Sequence, residues 1–341
     1  MSERPNPKPR VSRLRKVEVA DLSFRRLKHG RGTRLVDAST EPVSARHQER
    51  VSALAIPPAW KDVRISADPW SHIQAVGRDD AGRLQYIYHA EWEAIRAATK
   101  DERLQKLISA LPRMRNAIRR DLTSQSDQAA LAAAARLVDR LHLRAGHEAY
   151  AGEESGRGVA TLLKRHAQIS GHTIRLTFRG KGKKRIDVSV ADRKLANVVS
   201  NLMLLPGRRL FKIHTANGVR KMTATDLNAY LASIGKETIS AKDFRTLYAS
   251  AIAVSRLAEM PAPQSKKALR RAVSAVAKEI SQHLVNTPAI VRKSYIHPRI
   301  IAQYEAGNFL NRISGSSLRN CSKAEALLCA FLKSSAEESQ S

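Results

Sequence analysis

Leu269, Val273, Val276, Ile280 and Leu284 recur at spacings of three and four in SKKALRRAVSAVAKEISQHL, so the segment predicts a helix with one apolar stripe. SAKDFRTLYASAIAVSRLAEM predicts another helix, opened by Ser240 with Asp243 three residues on in the manner of a capping box. In NTPAIVRKSYI, Asn286 or Thr287 can serve as N-cap and Pro288 suits the first helical position. That start puts Arg292 and Tyr295 one turn apart on one helix face. The period changes in TIRLTFRGKGKKRIDVSVAD. There Ile174, Leu176 and Phe178 alternate with Arg175, Thr177 and Arg179, and Ile186, Val188 and Val190 alternate with Asp187 and Ser189. Alternation of this kind predicts a β-hairpin with one buried face and a tip rich in glycine and cations.

Before residue 95 the texture is different. RGTRLVD, VRISADP, SHIQAVG and RLQYIYH are short strand-like pieces separated by turn formers. Past Glu91 the chain reads as mainly helical, with the hairpin as its one exception. The fold class expected is α+β, with a small strand-rich domain at 19–95 and a larger, mainly helical domain at 96–322. A basic, proline-bearing arm at 1–18 is expected to be disordered. The tail at 323–341 is expected to add a short helix before ending in polar disorder.

Charge narrows the class of partner. Sixty Lys and Arg against 31 Asp and Glu leave a formal net charge of +29. Such an excess must be stabilised by a polyanion, screened by salt or tolerated as self-repulsion, and DNA or RNA is the favoured partner because each cation set against a phosphate releases condensed counterions. Arg175, Arg179, Lys181, Lys183, Lys184 and Arg185 concentrate this charge on the hairpin, in a form suited to a DNA groove; a solvated turn is the plainer alternative. No apolar run of about eighteen residues predicts a membrane span, and no cationic segment flanked by aromatics predicts a membrane surface. The two cysteines, Cys321 and Cys329, read as idle or buried thiols in a reducing compartment. A cytoplasmic location is therefore expected, without membrane contact.

The chain has no G-x-x-x-x-G-K-[ST] loop, no H-E-x-x-H, no C-x-x-C and no D-x-D pair. Neither a nucleotide cofactor nor a metal is expected. Phosphoryl transfer without them needs a side-chain nucleophile, cations on the equatorial oxygens and an acid for the departing oxygen. Arginine suits the second task by its planar fork, and lysine can lend the proton. A tyrosine nucleophile conserves the bond energy in a phosphodiester of its own, so the break can be resealed.

LRAGHEAY, FRGKGKK, AKDFRTL and NTPAIVRKSY stand in an order that resembles the type IB DNA topoisomerases, in their bacterial, poxvirus-like branch. IPPAWKDVRIS, HIQAVGRDDAGRLQYIYH and GVATLLKRH extend the resemblance over residues 20 to 310. It implies relaxation of supercoils through a 3′-phosphotyrosyl link, strand rotation and religation, by a monomeric clamp on duplex DNA associated with a bacterial nucleoid. By the same resemblance Arg144 and Arg245 correspond to the two catalytic arginines and Lys181 to the general acid for the 5′-oxygen. Asn286 stands where many members carry histidine, and Tyr295 is the nucleophile. Tyr150 supports Arg144, Lys242 contacts phosphate, and Gln85, Tyr86 and Tyr88 contact the duplex. On strand geometry Tyr86 and Tyr88 share one face and Gln85 takes the other. Three departures stand out. Asn286 offers a neutral donor, FRTLYAS lacks the Trp-Ala-Gly expected after the arginine, and His147 replaces a smaller or basic residue.

A tyrosine site-specific recombinase shares the nucleophile and the arginine pair. It would usually place histidine three residues before the second arginine, where this chain has Lys242, and it would carry a helical N-terminal arm. A non-catalytic DNA-packaging protein accounts for the charge but leaves the spacing of the five residues to coincidence.

Overall fold

The strand-like pieces near the N-terminus pair into one antiparallel sheet, ordered β2-β1-β3-β4-β5. Its strands are β1 (Phe24–His29), β2 (Gly32–Val36), β3 (Lys61–Ile65), β4 (Ile73–Arg78) and β5 (Leu84–Tyr88). A computed structural model describes residues 13–30, 32–124, 126, 128–148, 156–215, 218–261, 263–307 and 320–337. The chain divides into two compact units, Met1–Thr99 and Lys100–Ser341. In the first unit Phe24, Val43, Val63, Ile65 and Ala75 form a cluster that Val51 and Leu54 close from helix α1 (Ala45–Ala53) and its end. Leu22, Ile73 and Val76 form a second one. Residues 1–12 of the expected basic arm lie outside the described residues. Beyond them, Arg15 forms a parallel bridge with Ser71, and Val17 N donates to His72 Nδ1 at 3.1 Å.

Helix α2 (Ala90–Asp121) leads into the second unit, followed by α3 (Gln128–Leu141). The predicted hairpin is there, and an added strand makes it a three-stranded sheet, β6 (Ala167–Ser170), β7 (Thr173–Arg179) and β8 (Arg185–Ala191). Ile174 lies opposite Val190, Leu176 opposite Val188 and Phe178 opposite Ile186, so one face is apolar by cross-strand pairs. Helix α4 (Arg193–Leu204) starts at Asp192, whose carboxylate accepts from Leu195 N.

A second hairpin follows, β9 (Lys212–Thr215) and β10 (Gly218–Lys221), which corrects the expectation of a single strand pair in the helical part. Every residue of β10 is exposed, so no buried alternation betrays it. The remaining helices are α5 (Ala224–Gly235), α6 (Ala241–Ala258), α7 (Lys266–Leu284), α8 (Pro288–Ile290), α9 (Pro298–Glu305) and α10 (Lys323–Glu337). The stripe of α7 is buried at Val273, Val276, Ile280 and Leu284, with Leu269 at its margin.

Helix α6 runs through the middle of the core. Its Phe244, Leu247 and Val254 are buried, and Ala249, Ala251 and Ala253 let neighbouring backbones approach. Helix α10 packs against it with Leu328, Phe331 and Leu332 buried, so this stretch is a wall of the core and not a tail. Arg115 of α2 fastens it there. Its guanidinium donates to Asp139 of α3 at 2.8 Å and to Glu325 of α10 at 2.7 Å. Both carboxylates are buried, and the fork of arginine satisfies the two at once.

Candidate active site

The site begins with the start of α6. Asp243 accepts from Ser240 N at 2.8 Å, the reciprocal half of the capping box, and from Arg103 Nη2 of α2 at 2.8 Å. With that end held, Arg245 one turn inside is only 3% exposed. Its donors spread in three directions: Nη1 to His142 O, Nη2 to Leu284 O at 2.8 Å, and Nε to Tyr295 Oη at 3.4 Å. The guanidinium carbon lies 5.0 Å from the centre of the Tyr295 ring. Burial, with Arg144 nearby, lowers the Arg245 pKa, yet a guanidinium stays charged at any ordinary pH.

Arg144 lies in the loop after α3 and is brought in by a backbone turn, with φ +53° at His142 and +86° at Gly146. Its Nη2 donates to Asn286 Oδ1 at 2.9 Å. Asn286 follows Val285, which takes a left-handed conformation (φ +49°) at the end of α7, an uncommon one for a β-branched residue. Asn286 N donates to Ser281 O at 3.0 Å, which completes that cap. Asn286 Nδ2 is buried with no hydrogen-bond partner. It nevertheless lies close enough to the Tyr295 oxygen to help hold the proton affinity of the phenol down.

Tyr295 ends a π-turn, Val291–Tyr295, in which Ile296 N donates back to Val291 O at 3.0 Å. The wider turn corrects the shared face expected from α-helical spacing: Arg292 is exposed while Tyr295 is buried. Burial alone would raise the phenol's pKa. The charge and hydrogen bond of Arg245, then Arg144 and Asn286, outweigh it and leave the pKa below the ordinary value.

Glycines set the distance between the Arg144 loop and the hairpin. A Cβ on Gly158 would meet Arg144 O at 2.4 Å, and one on Gly156 would meet Gly180 O of the hairpin at 2.2 Å. Gly156-Arg157-Gly158 therefore works as a bracket between them, with Arg157 N donating to Arg179 O at 2.8 Å. Lys181 sits exposed at the hairpin tip. It is not drawn into the ring formed by Arg144, Arg245, Asn286 and Tyr295. Its neighbour Lys184 is, through a 3.2 Å hydrogen bond from Nζ to Asn286 O.

Behind Arg245 stands an aromatic stack absent from the sequence reading. The rings of His142 and Tyr248 are 4.1 Å apart, those of Tyr248 and His283 4.3 Å, and His142 Nδ1 is 2.9 Å from His283 Nε2. Burial first, then His283 and Arg245, push the His142 pKa down to about 3, so the ring is neutral and its carbonyl faces the arginine. Arg157, Arg165, Arg179, Lys183 and Arg185 line one cleft along the hairpin. Arg157, Arg208, Arg209, Lys212, Arg220 and Lys221 line another, so the two share Arg157. Among the described residues no group of three or more His, Cys, Asp or Glu could hold a metal ion.

Elsewhere, Lys242 is exposed on the first turn of α6. In the first unit Tyr86 and Tyr88 stack on one face of β5 with ring centres 5.8 Å apart, and Gln85 donates to Asp79 at 2.9 Å. Tyr150 lies outside the described residues.

Residues 90–312 match the family described as "Eukaryotic DNA topoisomerase I, catalytic core", and residues 32–79 match "Bacterial DNA topoisomerase IB, N-terminal domain". The chain belongs to the type IB DNA topoisomerase family. The first match opens at the start of α2 and encloses Arg144, Lys181, Arg245, Asn286 and Tyr295. Among similar proteins, "DNA topoisomerase 1B" of Acanthamoeba polyphaga mimivirus is 28% identical over 277 residues, covering 78% of this chain and 82% of the relative. "DNA topoisomerase 1B" of vaccinia virus (strain Copenhagen) is 23% identical over 279 residues, covering 78% and 84%. "DNA topoisomerase I" of monkeypox virus has the same identity and coverage. A type IB topoisomerase is an enzyme of DNA topology, with DNA as its partner. No helix among the described residues is long and apolar enough to cross a membrane.

Proposed function

We propose that this topoisomerase relaxes supercoils of both signs without ATP or a bound metal, by transient cleavage of one strand through Tyr295. The phenol gives its proton to solvent as its oxygen attacks the scissile phosphorus, an O–P bond to the 3′-phosphate forms, and the bond to the 5′-oxygen breaks. Lys181 donates the proton that makes the departing oxygen a hydroxyl. The freed end turns about the intact strand, and the reverse displacement reseals the break and restores the tyrosine.

Arg144 and Arg245 stabilise the charge that gathers on the non-bridging oxygens, and Asn286 Nδ2 adds a neutral donor. The observation that carries this reading is the contact of Arg245 Nε with the Tyr295 oxygen, in a ring that Arg144 and Asn286 complete. In support of the acid role, Lys181 stands on a hairpin whose tip Lys184 ties to the Asn286 carbonyl. Lys242, Gln85, Tyr86 and Tyr88 contact the duplex in the same proposal, Tyr150 supports Arg144, and the working form is a monomer.

The test is plasmid relaxation in EDTA by the wild type and by Tyr295→Phe. Relaxation by the wild type alone supports the reading. Relaxation by both removes Tyr295 as nucleophile. Strand exchange between defined sites would favour a recombinase, and compaction without relaxation would favour a packaging protein.

A further inference from the structure

Three consecutive carbonyls around Tyr295 are held by side chains from other helices. Lys100 of α2 donates from Nζ to Ser294 O at 3.2 Å and to Ile296 O at 2.8 Å. Ser250 of α6 donates from Oγ to Tyr295 O at 3.3 Å and accepts from His297 N at 3.1 Å. These carbonyls lie where a helical turn ends and leaves its acceptors open, and a cation there also meets the negative end of the turn. The next residue of α2 continues the hold. Asp101 accepts from Arg299 Nη1 at 3.2 Å and stands 3.4 Å from Nε2 of the buried His297. The backbone around Tyr295 is thus held from both α2 and α6, and its hydroxyl oxygen is met by Arg245 of α6.

We infer that Lys100 is a positioning residue for the nucleophile, and this rests on the reading of Tyr295 given above. The ammonium fixes the peptide plane that enters Tyr295 through Ser294 O and pins the 296–297 plane through Ile296 O, while Ser250 holds the plane between them, so the Cα–Cβ bond is aimed from both sides. The phenol oxygen consequently reaches the arginine pair at one place. A shift of about 1 Å at such a point costs on the order of 100-fold in rate. The same hold works after cleavage. The phosphotyrosyl segment then carries the drag of the rotating strand, and a backbone tied at two carbonyls brings the phosphorus back in line with the returning 5′-hydroxyl.

The test compares Lys100→Met, Lys100→Gln and Lys100→Arg with the wild type on a nicked duplex that traps the covalent product, at saturating DNA. The expected loss for K100M is about 10- to 100-fold in cleavage and religation rates, with unchanged DNA affinity. K100R, which can still donate to two carbonyls, should recover most of the rate. K100Q, with a single neutral donor group, should fall between and covers the case in which the Met variant loses its fold. Wild-type cleavage by K100M and K100Q, or a defect that more DNA removes, would overturn the inference. Y295F is run alongside. Covalent capture by that variant would remove the nucleophile reading itself, whereas an inert Y295F beside a fully active K100M would overturn only the role of Lys100.

Discussion

Arg144 Nη2 donates to Asn286 Oδ1 at 2.9 Å, and this bond uses the acceptor of the amide while its donor, Nδ2, remains buried and unpartnered. A buried donor without a partner is costly unless a ligand completes it. A phosphate oxygen beside Tyr295 would do so. Asn286→Asp keeps the shape and a partner for Arg144, but it replaces the donor with a negative charge. Its single-turnover cleavage should fall by about 100-fold or more, with the fold retained by circular dichroism.

Arg245→Ala should lose about 3 kcal/mol of transition-state stabilisation, on the scale of removing one donor to a developing oxyanion. Its cleavage rate on a nicked duplex should drop more than its affinity for the same DNA, because the side chain is buried against the phenol. Equal losses in both would mean that Arg245 only binds.

The lowered pKa of Tyr295 gives cleavage a pH dependence. The phenolate is the stronger nucleophile, so the rate should rise with pH and level off below the ordinary tyrosine value of 10.0. Removing Arg245 takes away the largest of the lowering influences, and the inflection should move upward. Rates measured from pH 6.5 to 10 on the trapped substrate decide this.

An ordinary histidine titrates at 6.5, and burial in the fold holds His142 down to about 3. Between those values an unfolded chain takes up a proton that the folded chain refuses. Stability is therefore full above pH 6.5 and falls as the pH drops towards 3. Urea titrations of His142→Asn should show a pH slope smaller by about one proton in this window. An unchanged slope would mean that the stack accepts the proton without cost.

The clefts that meet at Arg157 predict a steep salt response. Log affinity for duplex DNA should fall linearly with log salt concentration, and Lys183→Ala and Arg185→Ala should each reduce the slope by about one. Identical slopes for wild type and variants would place the duplex elsewhere.

Much of this was legible in the chain. Strict alternation at Ile174–Phe178 and Ile186–Val190 announced the β7–β8 pair, and the spacing of Val273, Val276, Ile280 and Leu284 announced the buried side of α7. The motifs singled out Arg144, Arg245, Asn286 and Tyr295 by their order along the chain, and the fold brings them together through the Arg144–Asn286 and Arg245–Tyr295 contacts. What escaped has physical reasons. β10 is exposed along its whole length, so only the turn-forming Asn217-Gly218 marked it. The π-turn before Tyr295 follows from how neighbours hold the backbone, and local propensity does not encode it. Lys100 resembles any helix-surface lysine until Ser294 and Ile296 are seen beside it, and the pairing of Gly156 with Gly180 and of Gly158 with Arg144 exists only across the fold.

The seating of α10 on α6 bears on the timing of synthesis. The helix that carries Arg245 rests on Leu328, Phe331 and Leu332, which a ribosome adds after Tyr295 has already been made. A growing polypeptide therefore holds Tyr295 before the bed of the Arg245 helix is laid, and under the proposed mechanism a chain that stops short of α10 should not cleave DNA.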